Sequence, residues 1–134
     1  MASKGGDRIM ELKNRSQYLD KLISVQDMEV IKVVTGIRRC GKSSLLKLMM
    51  VHLREQGVME EQILSMNFES MQFADMDSKR LYQYVMERVP KEKRLYLFLD
   101  EVQKVRDWQD AVNSFRVDLD CDIYVTGSNA YLLS

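Results

Sequence analysis

The chain has 134 residues, 46% apolar and 30% charged, enough for one domain with one sizeable core. Its 20 Lys plus Arg balance 20 Asp plus Glu, so a net charge of zero gives no push toward nucleic acid or an anionic membrane surface. No apolar run approaches the ~20 residues of a membrane span, and residues 1–7 have no apolar signal stretch behind them.

Two cysteines, Cys40 and Cys121, form neither a closely spaced metal pair nor a disulfide framework. They read as free thiols in a reducing cytosol, which makes a cytoplasmic location the expectation. The 10 methionines are scattered and suit gap-filling in a core better than metal binding. Proline occurs once, at Pro90, with no repeat or low-complexity linker, so a single domain is expected.

Residues 1–14 read as a flexible lead-in. Tyr18, Leu19, Leu22 and Ile23 then fall at helical spacing, predicting an amphipathic helix over 16–25. A β-branched run predicts a strand over 30–34. Residues 36–42 form a loop, and a helix follows over 43–56, with Leu45, Leu46, Leu48, Met49 and Leu53 on its apolar side and Gly57 as its stop. A second strand is expected over 62–68 and a polar surface loop over 69–77. Asp77 or Ser78 can cap a helix carrying Leu81, Tyr82, Val85 and Val89, closed by Pro90. The unbroken apolar run 95–99 suits a parallel strand covered on both faces. Asp107 can cap a helix bearing Trp108, Ala111, Val112 and Phe115, and 123–125 predicts a fourth strand. Strands alternating with helices imply an α/β fold with a parallel sheet and right-handed crossovers. In such folds ligands bind beyond the carboxyl ends of the strands.

Gly36-Ile37-Arg38-Arg39-Cys40-Gly41-Lys42-Ser43 matches the phosphate-loop pattern G-x-x-x-x-G-K-[ST], between a predicted strand and a predicted helix as that pattern requires. The glycines let successive backbone N–H groups curl toward phosphate oxygens. Lys42 supplies a cation for the β/γ-phosphates, and the Ser43 hydroxyl can ligate Mg²⁺. The positive end of the helix, beginning at Ser43-Ser44, faces the anion. Arg38 and Arg39 suit bidentate phosphate binding, and equally a solvated loop charge or a pair with Glu69. His52, alone on that helix, reads as a surface or packed side chain rather than a ligand.

Asp100-Glu101 ends the apolar run 95–99. Two adjacent carboxylates on a strand point in different directions because side chains alternate. Asp100 is assigned to Mg²⁺, and Glu101 to the hydrolytic water as general base. The run Asp100-Glu101-Val102-Gln103 departs from the D-x-x-G of GTPases, and the Asn-Lys-x-Asp guanine reader is also missing. The doublet therefore favours ATP hydrolysis over GTP binding or transfer to a metabolite. Asn67, Thr126, Ser128 and Asn129 sit at strand ends, where they could contact the γ-phosphate, the water or Glu101. Turn and cap chemistry accounts for such residues equally well.

Taken together, residues 34–46 resemble the Walker A region of a prokaryotic family of AAA-type ATPases with a twin-arginine phosphate loop. Residues 97–105 with Trp108 are similar to its Walker B strand and downstream helix. Residues 123–130 are similar to its sensor-1 strand, and residues 15–22 to its N-terminal helix. The resemblance implies a P-loop NTPase three-layer αβα sandwich with strand order 1-4-3-2. It also implies ATP and Mg²⁺ as ligands, with Gly36, Ile37, Arg38, Arg39, Cys40, Gly41, Lys42, Ser43 and Ser44 around the nucleotide. Catalytic roles fall to Glu101, Lys42 and Asn129. Family members continue with a fifth strand, a helical lid and commonly a further domain, so residues 15–134 are expected to be the N-terminal part of an ATPase domain from a longer protein. Part of the sheet of such a piece would lack its usual cover, so a homo-oligomer or strand-exchanged dimer is a risk. A slow nucleotide-dependent switch and a DNA-associated module are the alternatives, the second disfavoured for this chain alone by its neutral charge.

Overall fold

Apolar residues concentrate in four short runs, and each forms a strand. In a computed structural model, which describes residues 15–35 and 41–128, these are β1 (Lys32–Val34), β2 (Ile63–Asn67), β3 (Leu95–Asp100) and β4 (Cys121–Thr126). Four helices accompany them: α1 (Arg15–Ser24), α2 (Gly41–Glu55), α3 (Ser78–Met86) and α4 (Trp108–Asp118). The expected lead-in over 1–14 and residues 36–40 and 129–134 lie outside the described residues.

All strand pairings are parallel, in the order β1-β4-β3-β2, which is the expected 1-4-3-2 arrangement. Strand alternation sends side chains to two separate cores. Leu95, Leu97 and Leu99 of β3 join Ile123 and Val125 of β4 and pack with α3 and α4. Tyr96, Phe98 and Tyr124 go to the other face and pack with α1 and α2, the Phe98 and Tyr124 rings stacked at 4.7 Å. Helices therefore cover both faces, which is why every residue of β3 is buried.

The polar groups at the amino ends of the strands pair among themselves. Lys32 and Asp122 form a buried ion pair at 2.5 Å, and Lys32 also donates to the Met28 carbonyl at 2.6 Å. Asp122 accepts further from the Tyr124 hydroxyl at 2.7 Å and from the Asp27 N–H at 3.0 Å. Burial, then the bond to Asp122, pushes the Tyr124 phenol far above its ordinary range, so it stays a donor. Beside it, Asp27 accepts from Tyr96 and Arg94.

Several local expectations change in three dimensions. β1 begins at Lys32 rather than at residue 30, because Val30 N–H bonds back to the Met28 carbonyl in a turn. The segment 69–77 is not wholly a surface loop: it contains a 3₁₀ turn, Met71–Phe73, and buries Phe73 and Met76. Asp77 does cap α3, accepting from Arg80 N–H at 2.9 Å, but the helix stops at Met86, before Val89 and Pro90. Asp107 precedes α4 without any side-chain cap; its backbone is left-handed, with φ 56°, and its carbonyl accepts from Asp110 N–H. Among the described residues no helix is long and apolar enough to cross a membrane.

The Lys32–Asp122 pair generates a stability prediction. Lys32→Met leaves a carboxylate buried without its cation and should lower unfolding free energy by about 3–5 kcal/mol. Urea denaturation followed by circular dichroism measures this; a loss below ~1 kcal/mol would mean the tyrosine and backbone donors suffice alone.

Candidate functional site

The carboxyl ends of β3 and β4 lie beside the first turn of α2, and strand alternation decides which side chains meet there. Asp100 shares the face of Tyr96 and Phe98, and Thr126 shares the face of Asp122 and Tyr124, so both point toward α2. Asp100 is 5% exposed and Thr126 is fully buried. Each carboxylate oxygen of Asp100 receives one hydroxyl: Ser43 donates to Oδ2, and Thr126 donates to Oδ1 at 2.5 Å. The Thr126 oxygen in turn accepts from the Glu101 backbone N–H at 2.9 Å. One threonine therefore holds both the carboxylate of Asp100 and the main chain of its neighbour.

Glu101 does not diverge from Asp100 by strand alternation, as its sequence position suggests. It has left the strand, with φ 58° and ψ 51°, a left-handed conformation uncommon outside glycine, asparagine and aspartate. The turn brings its Oε2 within 3.6 Å of Lys42 Nζ. Lys42, 9% exposed, also donates to the Gly127 carbonyl at 3.1 Å. The second oxygen, Oε1, accepts from the Gln103 side-chain amide at 2.8 Å. Gln103 was not singled out as a site residue from sequence. It lies in the 3₁₀ turn Val102–Lys104 and follows no spacing rule, and it reaches Glu101 only because the left-handed turn folds the chain back on itself.

The remaining expected residues divide. Gly41 and Ser44 occupy the first turn of α2 with Lys42 and Ser43. Asn67 pairs with Asp100 across β2 and β3, but it is exposed and its Oδ1 accepts from its own turn, at Glu69 N–H. The Oγ of Ser128 is buried with no hydrogen-bond partner among the described residues. Gly36, Ile37, Arg38, Arg39, Cys40 and Asn129 lie outside the described residues. His52 is half-buried on α2 and away from this edge. Burial pushes the free thiol of Cys121 up to about 11, so it stays protonated at neutral pH.

The set fits the ligands expected for it. Asp100 and Ser43 offer a carboxylate and a hydroxyl already in contact, hard oxygen donors of the kind Mg²⁺ takes. Among the described residues no group of three or more His, Cys, Asp or Glu side chains could cage a metal ion. A separate cavity of about 440 Å³ opens at the opposite end of the sheet, between residues 28–31 and α4. Its lining carries the charged residues Glu29, Arg94, Arg116 and Asp120, of which Arg94 and Asp120 pair with each other at 2.6 Å.

A parallel sheet in the order 1-4-3-2, with helices on both faces, a lysine and serine opening α2 and an aspartate ending β3, defines an α/β fold of the P-loop kind. The family model of the AAA domain matches residues 29–134, and the chain belongs to this AAA-type P-loop ATPase family. Membership indicates a nucleotide-binding, ATPase-like function. The chain is 42% identical over 123 residues to an uncharacterized protein of Haemophilus influenzae, covering 90% of this chain and 31% of that protein. It is 25% identical over 127 residues to an uncharacterized protein of Methanocaldococcus jannaschii, covering 93% of this chain and 27% of that protein. It thus spans less than a third of the length of these curated relatives. No solved structure matches it significantly.

Thr126→Val, which keeps the shape and removes the hydroxyl, leaves Asp100 Oδ1 and the Glu101 N–H buried without a partner. It should lower stability by about 2–4 kcal/mol, with Thr126→Ser recovering most of the loss. Equal melting temperatures for the valine and serine variants would refute the clamp.

Proposed function

We propose that the chain binds Mg²⁺-ATP and that the complete protein hydrolyses it. The observation that carries this reading is the joining of Lys42, Ser43, Asp100 and Glu101 at one sheet edge, with Ser43 on Asp100 and Lys42 on Glu101. In this reading Gly41, Ser43 and Ser44 present the amino end of α2 to the phosphates, together with residues 36–40. Lys42 leaves Glu101 for the β/γ-phosphates, a stronger anion, and its buried stem limits where the ammonium can go. Ser43 and Asp100 would hold a magnesium ion, which would supply positive charge to offset that of the phosphates. Thr126 keeps the carboxylate of Asp100 aimed at α2 throughout. Glu101, freed from Lys42, orients the attacking water and accepts its proton.

Sensor roles for Asn67, Ser128 and Asn129 belong to the same reading. The hydroxyl of Ser128, without a partner among the described residues, supports its part in it. Asn67 would first have to give up its bond to Glu69. The free Cys121 thiol is consistent with work in the reducing cytoplasm.

Two variants test the assignment. Lys42→Ala should abolish saturable binding of a fluorescent ATP analogue with Mg²⁺. Glu101→Gln should bind that analogue about as well as wild type, or better, since it removes the partner Lys42 must leave. Its turnover should drop by about 10²–10⁴-fold in the complete protein. Unchanged turnover in Glu101→Gln would remove Glu101 from the role of base, and undiminished binding by Lys42→Ala would remove the phosphate site from α2.

A further inference from the structure

We infer that Gln103 is a positioning residue for hydrolysis: it holds Oε1 of Glu101, so that Oε2 is the oxygen that takes the proton of the attacking water. This rests on the ATPase reading above. The two oxygens of Glu101 are engaged by different kinds of partner. Oε2 faces the Lys42 ammonium at 3.6 Å, a contact that phosphate would compete for. Oε1 faces the Gln103 amide at 2.8 Å, a neutral donor with no reason to leave when an anion arrives. Nucleotide binding therefore frees one oxygen and leaves the other held.

The turn that makes this contact is built in. Glu101 is left-handed, and its carbonyl accepts from Lys104 N–H at 3.2 Å, opening the 3₁₀ turn Val102–Lys104. Val102 is fully buried in the core of the α3 and α4 face, which anchors the turn and returns the Gln103 side chain to Glu101. The amide orientation follows from chemistry: an ionised carboxylate only accepts, so the NH₂ group must face it. That leaves Gln103 Oε1 buried with no partner among the described residues. An unpaired buried amide oxygen is unfavourable for folding alone. It is an acceptor held beside the base, where the second hydrogen of a bound water can use it.

The step balances without a further reactant. The water oxygen forms the new bond to the γ-phosphorus, and the bond from that phosphorus to the bridging oxygen breaks. The electron pair leaves on ADP, and one water proton passes to Glu101 Oε2.

The test compares Gln103→Leu with wild type in the complete protein, reading kcat from steady-state phosphate release and Kd from a non-hydrolysable ATP analogue with Mg²⁺. We expect kcat to drop about 10-fold while Kd stays within about twofold. The double variant Glu101→Gln/Gln103→Leu should lose no more than Glu101→Gln alone, because Gln103 acts only through the carboxylate. Gln103→Glu, which keeps the shape and replaces the donor with a like charge, should lose at least as much kcat as Gln103→Leu. It carries the test should the leucine variant melt early. A kcat within about twofold of wild type, or losses that multiply fully in the double variant, overturns the inference. A wild-type protein that binds Mg²⁺-ATP but never turns it over overturns the ATPase reading itself, and a failure confined to the Gln103 variants does not.

Discussion

The carboxylate of Asp100 is buried with a hydroxyl on each oxygen, and the carboxyl edge of the sheet is organised around satisfying it. A buried charge without hydrogen-bond partners is strongly unfavourable, so whatever surrounds it must bring donors. Here the donors come from two distant parts of the chain, the first turn of α2 and the last residue of β4. Meeting that need sets the distance between the helix start and the strand ends. The same threonine accepts from Glu101 N–H, so the turn that swings Glu101 toward Lys42 is fixed by the group that holds Asp100.

Two buried polar clusters occupy opposite ends of one sheet face, and their contrast separates a structural role from a chemical one. At the amino ends, Lys32 and Asp122 are in close contact and tyrosine hydroxyls and main-chain groups supply the remaining bonds. At the carboxyl ends, the Lys42–Glu101 pair is looser at 3.6 Å, and the oxygens of Gln103 and Ser128 are left without partners among the described residues. The first cluster has little to gain from a ligand. The second has an ammonium, two carboxylates and polar oxygens whose hydrogen-bonding capacity is not used up among the described residues.

Glu101 shows how a strained residue earns its place. A left-handed glutamate costs of order 1–3 kcal/mol and persists only where surrounding contacts over-determine it. Those contacts are the Thr126 hydroxyl, the buried Val102 and the paired ends of its own carboxylate. Ordinary strand continuation would have sent Glu101 to the α3 and α4 face, where the core is apolar.

The sequence by itself determined the parallel α/β fold, since four apolar runs separated by helical patterns admit few other solutions, and it marked Lys42, Ser43, Asp100 and Glu101 through local motifs whose chemistry depends on spacing. It was less informative where a residue's role depends on partners far along the chain. Phe73 and Met76 looked like loop residues because burial there is supplied by neighbours that no local pattern announces. Thr126 read equally as a turn residue, and only the approach of β4 to β3 put its hydroxyl on Asp100. Gln103 carried no signal, because its contact with Glu101 exists only once the chain has turned left-handed. Periodicity and spacing are properties of neighbouring residues, whereas the direction of a side chain at a strand end is set by the strands and helices packed around it, and that part only the tertiary structure decided.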